Sequence, residues 1–173
     1  GVITDAAEGM GDSASEYQVK AAPIDGLTLG ASYMEFSGSG TATKAQDPES
    51  GAYYATYATG PFSVGYSKAY KAPIVGSITA ASTIETVETY EQTNWSVAYA
   101  ATDDLSVSYE RETSEANYVL NTTADVEQES SAVQIAYTMG GATIAVSHAS
   151  HDNNAYVDGD NTDQTLFALT MAF

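Results

Sequence analysis

Two groups of carboxylates in this sequence could bind cations. Glu110 and Glu112 are two residues apart, so on an extended strand both side chains project from one face and create a local negative potential. Asp158, Asp160 and Asp163 lie in the acidic stretch DGDNTD and offer hard oxygen ligands of the kind that calcium prefers. The spacing of an EF-hand is absent, so a solvated acidic loop is the simpler interpretation. We therefore predict no dedicated metal site and no cofactor, with loosely bound calcium at the acidic loops as the alternative.

The two histidines and the absence of cysteine limit the other chemistry. His148 and His151 are three residues apart, which places them on opposite faces of a strand and argues against a shared metal ion. The chain contains no Cys, so a disulfide framework, a thiolate metal site and a thiol nucleophile are excluded. No Ser/His/Asp order, phosphate loop or nucleotide fingerprint is present. The sequence therefore predicts a protein that is not an enzyme.

The charge balance is strongly acidic. The 173 residues include 5 Lys+Arg and 23 Asp+Glu, which gives a formal net charge of −18. Nucleic acid is excluded as a partner because contacts to phosphate require a basic surface. Cationic solutes and divalent ions are the more natural partners.

The elements that position these residues are predicted from a period-two alternation of apolar and polar side chains. Val133, Ile135 and Tyr137, for example, alternate with Gln134 and Ala136. Such alternation indicates a strand whose two faces meet different environments. No apolar run approaches the ~20 residues of a membrane helix. The predicted strands cover nine segments: 14–22, 27–36, 51–59, 62–71, 90–100, 105–114, 130–139, 142–151 and 164–173.

The connections between these segments alternate between short and long. The short ones, at 23–26, 59–62, 102–104 and 139–142, are tight turns of Gly, Pro and Asp. The long ones, at 37–50, 73–89, 115–129 and 152–163, are rich in Asp, Glu, Asn, Ser, Thr and Gly. This order is typical of an antiparallel up-and-down meander with short turns at one end. No linker interrupts it, so we predict one domain over 1–173.

The composition of the polar face favours a membrane protein. The outer face of a soluble β-protein carries many charged residues, whereas this polar face is mostly Ser, Thr, Ala, Gly, Asn and Gln. The apolar face carries aromatic residues close to the short turns, at Phe62, Tyr99, Tyr137 and Phe173, as the girdles of membrane barrels do. We therefore predict an all-β transmembrane antiparallel up-and-down β-barrel. A secreted soluble β-protein is the alternative.

Two motifs support a family resemblance. The C-terminal LFALTMAF (166–173) and the hairpin GPFSVGYSKAY (60–70) are similar to the C-terminal part of Gram-negative general porins of the alphaproteobacterial type. The resemblance implies the bacterial outer membrane, with the long loops extracellular and the short turns periplasmic. It implies a homotrimer in contact with the lipid bilayer and lipopolysaccharide. It also implies that the assembly machinery of the outer membrane reads the last strand, at Phe167, Leu169, Met171 and Phe173, although Phe173 could serve only as an anchor at the lipid boundary.

The strand count leaves two interpretations. Bacterial single-chain barrels have an even number of strands, and nine are predicted here. In one interpretation the chain is the C-terminal portion of a sixteen-stranded porin barrel. In the other, segment 14–22 is a tail and 27–173 forms a complete eight-stranded barrel. We favour the first, because the interior of an eight-stranded barrel must be filled by side chains. The Ser, Thr, Ala and Gly side chains of the polar face are too small to fill it.

The predicted function is passive diffusion of small hydrophilic solutes through a water-filled channel with a mild cation preference. The alternative is a small eight-stranded structural or adhesive outer-membrane barrel without an open pore.

Lys68 and Arg111 are predicted on the lipid face, near its outer boundary unless a β-bulge turns them inward. The residues predicted to line the channel are Glu16, Gln18, Lys20, Asn94, Ser96, Ser108, Glu110, Glu112 and Gln134.

Overall fold

The computed structural model of the chain describes residues 13–37, 44–73, 75–76, 87–119 and 124–171. All nine predicted segments are strands. Two short strands that the sequence did not predict, β3 and β6, pair with each other outside the main sheet. The strands are β1 (Ser13–Ile24), β2 (Leu27–Ser37), β3 (Lys44–Gln46), β4 (Glu49–Thr59), β5 (Phe62–Ala72), β6 (Val75–Gly76), β7 (Val87–Ala100), β8 (Leu105–Tyr118), β9 (Val126–Met139), β10 (Ala142–Asp152) and β11 (Thr162–Met171).

The nine long strands form one antiparallel sheet in which each strand pairs with the next long strand along the chain. The up-and-down meander is therefore confirmed. The edge strands are β1 and β11, and within the described residues no pairing joins them. No helix in the described part of the chain is long and apolar enough to span a membrane.

The first segment belongs to the sheet. β1 pairs with β2 continuously from Ser13, opposite Ser37, to Ala21, opposite Leu29. The interpretation of 14–22 as a tail is therefore wrong. The register shifts between Ala21 and Ile24, next to Pro23, which has no N–H to donate to the ladder.

Three of the four short turns contain a glycine with a left-handed backbone. Gly26, Gly60 and Gly140 have φ of 79°, 53° and 60°. At Gly26 the constraint is also steric, because a Cβ would lie 2.1 Å from the carbonyl oxygen of Ala58. These glycines allow adjacent strands to reverse within two residues, which fixes the register of each hairpin.

Three central strands are longer than the sequence indicated. β7, β8 and β9 each have 14 residues, and β8 continues to Tyr118 rather than ending near 114. Glu110 and Glu112 therefore lie at the middle of β8, whereas in the predicted segment 105–114 they would lie in the upper half of the strand. The alternation fades beyond 112 because both faces there carry small or polar side chains, such as Thr113 and Ser114.

The sheet has almost no core. Among the described residues the buried hydrophobic side chains are Ala72, Val75 and Ala116, and no large side chain is fully buried. The sheet is therefore a single layer, held by the backbone ladder and by cross-strand pairs such as Phe62 and Tyr99, whose ring centroids are 4.6 Å apart. Its two faces, polar and apolar, are both open to the surroundings.

Candidate functional site

The candidate site is a cleft on the polar face of the sheet. Its volume is about 860 Å³, and it extends from Tyr54 on β4 to Gln164 on β11. These two strands are six strand spacings apart, or ~29 Å across a flat sheet. A single cleft that includes both residues lies in the hollow of a curved sheet, so we call the polar face the concave face.

Two adjacent cross-strand rows form the floor of this cleft. The register places directly opposed residues on the same face, so each row can be followed from strand to strand. One row runs from Lys20 through Gly30, Tyr54, Ser67, Asn94, Glu112, Ser130 and His151 to Thr162. The next row runs from Thr28 through Thr56, Gly65, Ser96, Glu110, Ala132 and Ala149 to Gln164. Most of these side chains are small, which leaves the hollow open.

The residues predicted to line a channel all lie on the concave face, but they fall into two groups. Glu16, Gln18 and Lys20 lie on the edge strand β1, away from the main cleft, and Glu16 borders a smaller hollow of about 210 Å³. Tyr54 and His151 also line the cleft, and the sequence did not predict either as a channel-lining residue. The predicted residues that line it are Asn94, Ser96, Ser108, Glu110, Glu112 and Gln134.

The two histidines lie on opposite faces, as their spacing predicts. In the cleft, Nδ1 of His151 is 2.8 Å from Oγ of Ser130, and on the other face Nδ1 of His148 is 2.9 Å from Oγ1 of Thr165. A Ser–His contact is one part of a nucleophile–base arrangement. The backbone around Ser130 and His151 is paired in the strand ladder, so it does not form the oxyanion site that acyl transfer requires. We interpret this contact as part of a polar surface.

The aspartates of the acidic stretch are dispersed. Asp158 and Asp160 lie in the β10–β11 connection, whereas Asp163 is opposite Ser150 on the apolar face of β11. Within the described residues no three His, Cys, Asp or Glu side chains are grouped closely enough to hold a metal ion. The prediction of loosely bound calcium therefore gains no site from this geometry.

The apolar face carries a band of large side chains whose upper border, toward the long loops, slants across the sheet. The row through Leu27, Val97 and Thr165 provides the reference. The uppermost residue of the band lies six residues above this row on β2 and two residues below it on β11. The border residues are Tyr33, Tyr53, Tyr66, Trp95, Tyr109, Val133, Val146 and Phe167, on β2, β4, β5, β7, β8, β9, β10 and β11. One further aromatic residue of this face, Tyr70 on β5, lies above Lys68 in the row of Tyr33 and is separated by Lys68 from the continuous band.

The slope of this border follows from strand geometry. The descent of eight residues corresponds to ~27 Å along the strands, and the seven strand spacings between β2 and β11 correspond to ~34 Å. The border therefore crosses the rows at ~39°. Below it the band is exposed: Phe167, Leu169 and Met171 on β11 expose 74%, 62% and 53% of their surface. Phe173 lies outside the described residues.

Lys68 and Arg111 lie on the apolar face immediately above the border. The register is regular at both positions, so no bulge turns either residue inward. Each pairs with an acidic residue of the next strand: Nζ of Lys68 is 3.2 Å from Glu91, and Arg111 forms an ion pair with Glu129. The prediction that both face the apolar side is confirmed, and the alternative of a bulge is wrong.

The connection between β10 and β11 (residues 153–161) folds onto the concave face above the cleft. It contains a short 3-10 turn, Asn154–Tyr156. Oη of Tyr156 is 2.7 Å from Oγ of Ser114 on β8, and its ring lies 5.6 Å from the ring of Tyr90 on β7. The sequence predicted only a polar loop here.

Comparison of the chain with protein-family models and with curated protein sequences gave no match. The two faces of the sheet, the cleft and the slanted border are therefore the basis for a functional assignment.

Proposed function

We propose that the sheet is part of a transmembrane β-barrel in the bacterial outer membrane, and that its concave face lines a water-filled channel for passive diffusion of small hydrophilic solutes. The observation that carries this proposal is the ~39° slope of the apolar border across the strand rows. The protein acts without catalysis, and its mild selectivity is for cations.

The slope is what a lipid layer requires. The hydrocarbon layer has planar boundaries, and the strands of membrane barrels tilt by about 35–45° from the barrel axis. The rows of paired residues are perpendicular to the strands, so a level boundary crosses the rows at the tilt angle. In a soluble sandwich the apolar region instead follows the outline of the facing sheet. The slope therefore supports a lipid-facing band over the secreted soluble alternative.

The exposure of the band supports the same interpretation. Soluble monomers rarely expose contiguous apolar patches larger than a few hundred Å². Here the exposed large side chains include Phe62, Trp95, Ile135 and Leu169, from four different strands. Lipid would cover this surface without a second protein layer.

The need to close the sheet in a membrane favours a larger barrel. Lipid offers no hydrogen-bond partner, so both edge strands must be paired. β1 and β11 run in the same direction because they are the first and the ninth strand of one antiparallel sheet. Antiparallel closure therefore requires an odd number of further strands, and seven would complete the sixteen-stranded barrel of the porin resemblance. The small side chains of the concave face favour this wide barrel over an eight-stranded one, whose interior side chains must fill.

Cation preference is proposed from the charges of the concave face. Glu110 and Glu112 lie side by side in the floor rows of the cleft. The basic residues of this face, Lys20 and Lys71, lie on β1 and at the upper end of β5. A passing cation therefore meets an uncompensated negative potential at the centre of the cleft.

The remaining partners follow from the resemblance and are proposals of the same kind. The exposed last strand would be recognised by the assembly machinery of the outer membrane. The acidic loops would meet lipopolysaccharide through divalent cations, and the intact protein would be a homotrimer.

Planar-bilayer recording of the intact protein tests the proposal. We expect stable steps of large unitary current and, in a salt gradient, a reversal potential on the side of cations. Silence in a correctly inserted protein would instead support the structural or adhesive barrel. A reversal potential on the side of anions would refute the assigned selectivity.

A further inference from the structure

We propose that the β10–β11 connection, residues 153–161, is a fixed constriction of the channel and that Tyr156 is the residue that positions it. This inference rests on the proposed channel function and adds an element that narrows the passage. We call these residues the inner loop.

The inner loop reaches well beyond its own hairpin. It emerges between β10 and β11, yet Tyr156 contacts Ser114 on β8 and Tyr90 on β7. From β10 to β7 are three strand spacings, or ~14 Å across the concave face. The loop therefore crosses part of the opening between the cleft and the end of the sheet with the long connections.

Burial on the concave face is highest where Tyr156 meets β8. Ser114 is 9% exposed and Ala116 is completely buried, although both lie on a face that is otherwise open. Both are on β8, and the side chain of Ser114 is held by Tyr156. The inner loop is thus packed against the wall rather than suspended in the hollow.

A second set of contacts attaches the loop to β9. The backbone N–H of Ala155 donates to Oε1 of Gln128 at 3.0 Å, and Nδ2 of Asn153 donates to the carbonyl oxygen of Glu127 at 2.9 Å. The loop is also bonded internally, because Gly159 N–H donates to Oδ1 of Asn153 at 2.9 Å. These bonds fix the loop at both ends of its 3-10 turn.

The backbone of the loop is in an unfavourable conformation that these contacts maintain. Asn153, Ala155 and Tyr156 have φ of 53°, 54° and 59°, and they are the non-glycine residues with positive φ in the described part of the chain. A residue with a Cβ is disfavoured there, so such a conformation persists only where its surroundings determine it. An unconstrained loop would relax away from the wall.

The chemistry of the loop suits an aqueous passage for cations. Its outer surface presents Asp158 and Asp160, both exposed. A cation that passes the loop meets these carboxylates before it reaches Glu112 in the cleft. The loop would therefore narrow the channel, and its carboxylates would have the same negative charge as the carboxylates of the cleft.

Two measurements on the intact protein test the inference. The first is unitary conductance of Tyr156→Ala, which removes the ring and the hydroxyl that hold the loop, and we expect it to rise. Tyr156→Phe keeps the ring stack and removes only the bond to Ser114, so its conductance should be intermediate. Val157→Ala is the matched control, since Val157 is in the same loop and 54% exposed, and its conductance should be unchanged.

The second measurement reports the loop directly and does not depend on conduction. This chain has no cysteine, so Ala116→Cys introduces a unique thiol at a completely buried position two residues from Ser114, on the same face of β8. We expect slow maleimide labelling in the otherwise unmodified chain. Tyr156→Ala should accelerate it at least roughly tenfold, the population change that corresponds to loss of a ring stack and a hydrogen bond. A thiol at Ser108, lower in the cleft, should label at the same rate in both backgrounds.

The outcomes separate this inference from the proposed function. Either of two results would overturn the constriction and leave the channel intact. One is fast labelling of Ala116→Cys in a chain that retains Tyr156. The other is an unchanged conductance of Tyr156→Ala in a protein that still conducts. Protected labelling combined with silence of every variant would overturn both the channel and its constriction, with the docked loop remaining as a structural feature.

Discussion

Substitution of Val97 by Arg is the most direct test of a lipid-facing band. On β7 the band runs from Trp95 at the border to Tyr99 near the short turn, and Val97 lies at its centre. Val97 is 37% exposed, and no second layer covers it within the described residues. An arginine placed there must lie in whatever medium surrounds the apolar face of the sheet.

The magnitude follows from the depth of Val97. With a rise of 3.4 Å per residue and a tilt of ~40°, each residue along a strand changes the depth by ~2.6 Å. Val97 therefore lies ~5 Å inside the border. Arginine at the midplane of a membrane barrel destabilises it by about 2–4 kcal/mol, and a long side chain that extends to the interface reduces this penalty. We expect Val97→Arg to lower the free energy of unfolding by ~2 kcal/mol.

Two matched controls flank this position on the same strand. Thr93 is ~5 Å outside the border on the same face, and Ser96 faces the cleft, so arginine at either residue should change stability by less than ~0.5 kcal/mol. The assay is urea-dependent unfolding in phosphatidylcholine vesicles, followed by the fluorescence of Trp95, the only tryptophan of the chain. If arginine at Thr93, Ser96 and Val97 lowers the free energy of unfolding by equal, small amounts, the apolar face lies in water. Complete loss of folding for Val97→Arg and Thr93→Arg alike would indicate a packed protein layer and would also refute the reasoning.

Three further predictions address the cleft, the turns and the last strand. Glu110→Gln combined with Glu112→Gln should move the reversal potential toward zero in a salt gradient, because it removes the central negative charge of the cleft; an unchanged potential would assign the selectivity to the loops. Gly140→Ala should destabilise by ~1 kcal/mol because of its positive φ alone, and Gly26→Ala by more, since its Cβ also meets the Ala58 carbonyl; equal midpoints in urea would contradict this order. Phe167→Ala should slow insertion by the assembly machinery without altering the conductance of inserted protein, as measured by pulse-chase protection from protease; normal kinetics would argue against a role for the last strand as a signal.

The sequence predicted the strands and their faces because the signal for both is local. Alternation such as Val133, Gln134 and Ile135 depends only on the pleat of one strand. The tight turns were readable for a similar reason, since Gly26 and Gly60 supply a conformation that other residues adopt at a penalty. Strand ends were less readable. Where Thr113 and Ser114 continue β8, both faces are polar and the alternation has no contrast.

The features that the sequence did not predict depend on register and on long-range contacts. The pairing of Arg111 with Glu129 becomes visible only when β8 and β9 are aligned, and that alignment is set by a connection of polar residues. The inner loop is similar. Tyr156 adopts a left-handed backbone without being glycine, and its partner Ser114 is 42 residues away. One signal was present in the sequence: a tyrosine within the polar stretch 152–163, where Ala155 and Val157 are its only apolar neighbours.

The placement of the two ion pairs supports a lipid boundary independently of the slope. Lys68 and Arg111 are each two residues above the border on their own strands. Their partners, Glu91 and Glu129, are each four residues above the border on the neighbouring strands. Both basic side chains are therefore drawn upward, away from the band, by a carboxylate ~5 Å higher. On a face bathed in water, acidic partners below the basic residues would serve as well as partners above. In a barrel that spans a bilayer, only the upward direction carries the charge toward the aqueous side.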